Sequence, residues 1–127
     1  MNFQLVLAVA IGGAIGSVAR YWVGIGSTKL FGLAFPWGTL IINIVGSFLI
    51  SVFAESFALR WDAPQAVRVF LTVGICGGFT TFSTFSLDAY LLMERGELWA
   101  AAAYMAGSVA LSIGALFAGL HLMRTAL

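Results

Sequence analysis

Four long apolar runs alternate with short polar connections along this chain. The runs extend from about Phe3 to Gly26, Trp37 to Ala58, Ala66 to Met93 and Leu98 to Met123. A helix needs roughly 20 apolar residues to cross the hydrocarbon core, and each run supplies them. The connections carry turn and interface signals. They are Lys29 with Phe35-Pro36-Trp37, then Arg60, Trp61, Asp62 and Pro64, and finally Glu94-Arg95-Gly96-Glu97. The pattern predicts an all-α membrane protein, a single four-helix transmembrane domain over residues 1–127 with both termini on one side. The third run contains Gly74-Ile75-Cys76-Gly77-Gly78-Phe79-Thr80-Thr81-Phe82-Ser83-Thr84-Phe85-Ser86. Adjacent glycines followed by β-branched hydroxyl residues make a poor helix interior, so a break is expected near the middle of that span.

Composition agrees. Of 127 residues, 61% are hydrophobic and 9% charged, and the mean hydropathy is +1.04; a soluble domain is about half apolar and a quarter charged. Four spans of roughly 22 residues use about 88 positions and leave roughly 39 for loops, whereas five would not fit. A net charge of +1 without a basic cluster excludes a nucleic-acid binder. No Gly-x-x-x-x-Gly-Lys-Ser/Thr motif for a nucleotide occurs, and no enzymatic activity is expected. Cys76 is the sole cysteine, which excludes an intrachain disulfide and a thiol-based zinc or iron–sulfur site within one chain. The single histidine, His121, reads as an interfacial side chain. Met1 to Ala19 imitates a signal peptide, but it lacks a basic start and three more apolar runs follow, so a retained first span is expected.

Lysine and arginine near the span ends set orientation. Arg60, Arg68 and Arg124 flank one side; Lys29 and Arg95, with Arg20 near that end of its helix, flank the other. This balance leaves almost no bias. It predicts insertion in both directions and an antiparallel, dual-topology homodimer, the alternative being a single orientation imposed by other determinants.

Few polar groups interrupt the spans. Asn43 is either an interhelical hydrogen bond that glues two spans or a pore-lining donor; an uncharged amide offers an anion two hydrogens without trapping it. Tyr104, Ser108 and Ser112 fall at i, i+4, i+8 and place three hydroxyls in one stripe, a polar track unless the serines bond back to their own helix. Arg20 either snorkels to the interface or stands as a cation at the mouth of an anion pathway. Glu55 and Asp88 lie near span ends and read as interfacial. Gly12 and Gly16 form a small-xxx-small pair suited to close packing. At the expected break, freed carbonyls of Gly77 and Thr80 suit a small hard cation such as sodium. Phe82 and Phe85 share a helix face, for packing or for presenting their positive ring edges to an anion.

Three stretches together resemble the Fluc (CrcB) fluoride channel family: Gly12-Gly13-Ala14-Ile15-Gly16-Ser17-Val18-Ala19-Arg20-Tyr21, Pro36-Trp37-Gly38-Thr39-Leu40-Ile41-Ile42-Asn43-Ile44-Val45-Gly46-Ser47, and the Gly74 to Ser86 run. The match spans all four helices, and Gly-Gly-Phe-Thr-Thr-Phe-Ser-Thr-Phe-Ser is its most specific part. The resemblance implies a passive fluoride channel in a bacterial-type plasma (inner) membrane, built as an antiparallel homodimer with two pores. It also implies a structural, untransported sodium ion at the dimer centre, held by the Gly77 and Thr80 carbonyls of both subunits. Asn43, Phe82 and Phe85 would line the pore, with Ser83 and Thr84 as further third-span contributors. Tyr104, Ser108 and Ser112 match the polar track, and Arg20 the vestibule. The chain departs from the family pattern at Leu87-Asp88, where Ala-Glu is usual, and no pore role carries over to Asp88. Such a channel lowers fluoride toxicity. Neutral hydrofluoric acid enters from acidic surroundings, ionises in the cytoplasm and is trapped until the anion leaves down its gradient. Two other readings compete. A small dual-topology proton-coupled multidrug exporter needs a carboxylate at a span centre, and this chain has none there; a membrane scaffold subunit leaves the broken helix unexplained.

Overall fold

The computed structural model describes residues 2–126, and the described residues are helical apart from short connections. Helix α1 spans Phe3–Phe31. It opens where the Asn2 side chain accepts the Gln4 N–H at 2.8 Å, an ordinary N-cap. It closes at Gly32, whose φ of 80° lies in the left-handed region and whose N–H returns to the Thr28 carbonyl at 2.9 Å. The helix thus continues through residues 27–31, which the sequence pattern assigns to a loop. Gly24 and Gly26 do not stop it, because a mid-helix glycine costs only about 1 kcal/mol while an unpaired backbone group in lipid costs several. Ser27 is therefore a buried helical residue, and the absence of a side chain at Gly38 lets the second membrane segment approach it.

Helix α2 spans Trp37–Leu59, after Pro36. The third membrane segment is composite. Helix α3, Gln65–Val69, follows Pro64 and runs into a π-helical stretch, Phe70–Cys76, and then the single turn α4, Gly77–Phe79. Thr80, Thr81 and Phe82 leave the helix, with Thr80 extended at φ −84° and ψ 160°. Helix α5, Ser83–Glu94, resumes it. The π stretch, an uncommon geometry concentrated at functional sites, has no signature in the residue pattern. Gly96, at φ 80°, turns the chain into α6, Leu98–Ala126. Four segments are long and apolar enough to cross a membrane: Phe3–Phe31, Trp37–Leu59, Gln65–Glu94 and Leu98–Ala126. The chain is a multi-pass membrane protein.

Packing explains Gly12 and Gly16 of α1 and Gly74 and Gly78 of the third segment. A Cβ on Gly12 would stand 2.6 Å from the Phe70 carbonyl oxygen, and one on Gly78 2.6 Å from the Gly13 carbonyl oxygen. Backbone thus rests on backbone, and α1 holds the π stretch and α4 in place. On the other side α2 pairs with α6, where Gly119 lies against the Phe48 carbonyl and Ser51. The best-buried cluster is Leu40, Ala89, Leu92, Ala101 and Tyr104, joining α2, α5 and α6.

Candidate functional site

The break is splinted by side chains from two helices. Asn43, six residues into α2 and so about 9 Å along it, accepts the Thr81 N–H at 3.0 Å through Oδ1 and donates Nδ2 to the Thr81 carbonyl at 3.1 Å. One Nδ2 hydrogen remains, and Asn43 lines a cleft. From α1, Arg20 donates Nε to the Gly78 carbonyl at 3.1 Å. The Thr81 hydroxyl accepts the Thr84 N–H at 3.2 Å and caps α5. The Thr80 N–H and hydroxyl both go to the Cys76 carbonyl, at 3.0 and 2.9 Å.

A cleft of about 580 Å³ lies beside the break. It gathers Asn43, Gly77, Thr80, Phe82, Phe85, Ser108 and Ser112, seven of the residues singled out from sequence. Phe82 and Phe85 stand 5.5 Å apart between ring centroids, tilted by 42°; Phe82 is exposed and Phe85 half-buried. The Ser108 and Ser112 hydroxyl oxygens are buried with no hydrogen-bond partner. Other hydroxyls in the helices do bond back, among them Ser56 to the Val52 carbonyl at 2.7 Å and Thr72 to the Arg68 carbonyl at 2.8 Å. The two unpaired serines are therefore not following the usual habit of serine in an apolar helix.

Arg20 and Thr84 lie in a second, larger cleft of about 820 Å³, together with Lys29, Thr39 and Asp88, toward the α1 C-terminal end. Thr81 is the only residue lining both clefts among the described residues. Tyr104 lines neither. It is fully buried against Phe35 and Phe85, and its hydroxyl donates to Asp88 Oδ2 at 3.2 Å. Ser83 is exposed and lines neither cleft; its hydroxyl lies 3.4 Å from that of Thr81.

Two positions escaped the sequence reading. Asp88 is not simply interfacial: Thr39 Oγ1 donates to its Oδ2 at 2.7 Å alongside the Tyr104 hydroxyl, so one carboxylate oxygen ties α2 and α6 to α5. The signal that could have found it is the pairing of an in-span acid with hydroxyls within two turns of facing span ends. Thr81 was passed over because its role is in its backbone and cap. Glu55, by contrast, pairs with Arg124 at 3.1 Å near the ends of α2 and α6, an end placement like the one its sequence position suggests.

Residues 7–120 match the family model described as CrcB-like protein, Camphor Resistance (CrcB). The chain belongs to the CrcB family. Similar proteins extend over nearly its whole length. A Nitrobacter winogradskyi protein named fluoride-specific ion channel FluC is 64% identical over 124 residues, 98% of each chain. Relatives of the same name from Rhodospirillum centenum and Rhizobium johnstonii are 54% identical over 123 residues (97% of this chain, 98% of the relative) and 57% over 118 residues (93% and 94%). In this CrcB-family chain the polar groups facing the clefts are mostly neutral amides and hydroxyls; Arg20, Lys29 and Asp88 all belong to the second cleft.

Proposed function

We propose that this chain forms a passive, fluoride-selective channel and lowers fluoride toxicity by letting the anion leave the cytoplasm across a bacterial plasma membrane. The observation that carries this reading is the pair of buried, unpartnered hydroxyls of Ser108 and Ser112, two residues that line a cleft together with Asn43, Phe82 and Phe85. A buried hydroxyl without a partner is costly, and a desolvated anion is the partner whose chemistry fits, because each hydroxyl supplies a donor without a charge that would hold the ion. The names of the relatives point the same way. Arg20 and Lys29 at the second cleft raise the local anion concentration on entry. Narrowness and donors that replace the small ion's water favour fluoride over chloride.

The working unit is two copies in antiparallel orientation. Balanced charges at the span ends support dual insertion, and the first cleft opens where exposed Phe82 and Gly77 await a neighbour. A structural sodium ion at the centre fits the donor set. No cluster of His, Cys, Asp or Glu able to hold a metal occurs among the described residues, whereas Gly77 and Thr80 both line one cleft, and backbone carbonyls are the hard oxygen donors such a cation takes. One chain supplies two carbonyls, so two chains supply four. Bound there, sodium would neutralise carbonyl dipoles at the dimer centre; the ion path runs through Asn43, the phenylalanines and the serines.

Liposomes holding purified protein, loaded with fluoride or chloride and read with ion-selective electrodes, test the reading. Rapid fluoride release without a proton gradient, with little chloride release, is expected. Protein-free rates of fluoride release in sodium would refute it.

A further inference from the structure

We propose that Asn43 and Thr81 are positioning residues that bare the Gly77 and Thr80 carbonyls for a hard cation. The proposal rests on the cation reading above and deepens it. In an unbroken α-helix each carbonyl accepts the N–H four residues on. The donor for Gly77 would be Thr81, and the donor for Thr80 would be Thr84. Both donors are diverted. The Thr81 N–H goes to Asn43 Oδ1 at 3.0 Å, and the Thr84 N–H goes to Thr81 Oγ1 at 3.2 Å. The carbonyls on either side of Gly77 are filled: Cys76 accepts twice from Thr80, at 3.0 and 2.9 Å, and Gly78 accepts Arg20 Nε at 3.1 Å.

The diversion strips the helical donor from Gly77 and Thr80, both of which line the first cleft, while Arg20, the positive group at the break, stands in the second cleft. Glycine alone would give a flexible break with a shifting set of free carbonyls. Here the bidentate Asn43 carboxamide fixes both polar groups of Thr81, and the Thr81 side chain fixes the first turn of α5. The oxygens are thereby held ready before an ion arrives, which spares the ion the reorganisation that weakens binding. Asn43 therefore acts through the Thr81 backbone, whatever its remaining N–H contributes to the pore.

The test is thermal unfolding of the purified full-length protein in detergent while sodium is titrated against N-methylglucamine at constant ionic strength. Asn43→Leu removes both splinting bonds at similar volume, Thr81→Val removes the cap, and Thr81→Ser retains it. The sodium concentration giving half-maximal stabilisation should rise about tenfold in N43L and in T81V, the worth of one hydrogen bond to a charged group. It should stay within about twofold of the parent in T81S. A merely structural loss lowers the melting temperature at every sodium concentration without moving that midpoint. An unmoved midpoint in N43L and T81V overturns the proposal, as does an equal shift in T81S. If neither N43L nor T81V folds, the bonds serve the fold rather than the site, and the proposal is likewise overturned. A parent protein whose melting ignores sodium sinks the cation reading instead, and its fluoride flux is then judged separately.

Discussion

Replacing Ser108 and Ser112 together with alanine should stabilise the protein and impair it at once. Each hydroxyl oxygen is buried without a partner, and Ser108 is only 5% exposed. A buried hydroxyl denied its hydrogen bond costs about 1–3 kcal/mol, and deleting it leaves a void the size of one oxygen, so a net gain of about 1 kcal/mol per site is expected. Melting in fluoride-free buffer should rise by a few degrees. Fluoride should reverse the order. At about 100 times its dissociation constant, a ligand that binds only the folded state adds about 2.7 kcal/mol, and the parent should gain this while the double variant loses most of it. Liposome flux should fall about tenfold or more, since hydrogen bonds to an anion are worth about 1.5–3 kcal/mol each. The informative pair of measurements is melting with and without fluoride. A double variant less stable than the parent in fluoride-free buffer, yet equally stabilised by fluoride, would show that these hydroxyls are bonded to protein and do not meet the ion.

Other outcomes follow from the packing and the break. Gly12→Ala should destabilise by about 1–3 kcal/mol, because its Cβ would stand 2.6 Å from the Phe70 carbonyl oxygen, whereas Gly13→Ala meets nothing within 4 Å and should melt within about 0.5 kcal/mol of the parent; equal melting of the two would refute the backbone-on-backbone contact. Phe82 and Phe85 changed together to isoleucine keep an apolar lining but lose the ring edges, and fluoride flux in liposomes should collapse; undiminished flux refutes the edge contact. Reporters fused to the C-terminus should give signal on both sides of the membrane, and signal from one side alone refutes dual topology.

The four spans were legible because lipid demands long apolar runs, and that demand is written residue by residue. The break was legible at Gly77-Gly78 and Thr80-Thr81, where chain stiffness and glycine freedom act locally. Other features depend on what a residue meets across space. The π-helical stretch Phe70–Cys76 has ordinary helix-compatible residues, and its geometry goes with α1 lying flush on Gly74 and Phe70. Helix α1 passes Gly26 because the decisive stop is Gly32, where a positive φ is required. Hydroxyl roles were the least legible. Tyr104, Ser108 and Ser112 share one stripe of α6, yet Tyr104 is committed to Asp88 while the two serines have no partner. A stripe gives direction along one helix; only the facing helices decide who answers it.

The third segment shows why a membrane protein breaks a helix and then spends side chains repairing the damage. An open break in lipid exposes several N–H and C=O groups, each worth several kcal/mol if left alone. Asn43 and Arg20 satisfy three of them from neighbouring helices, and the Thr81 hydroxyl a fourth. The polar residues of the spans are thus divided between two tasks. Some, like Asn43, Arg20 and Thr81, close the break; others, like Ser108 and Ser112, have nothing within the chain to bond. The Thr81 and Thr84 N–H groups and the Gly78 and Thr81 carbonyls all find partners inside the chain, and the Ser108 and Ser112 hydroxyls do not. On the channel reading proposed above their partner comes from outside the fold: in a cleft that Asn43, Phe82 and Phe85 also line, a small anion is the ligand whose charge such neutral donors accommodate.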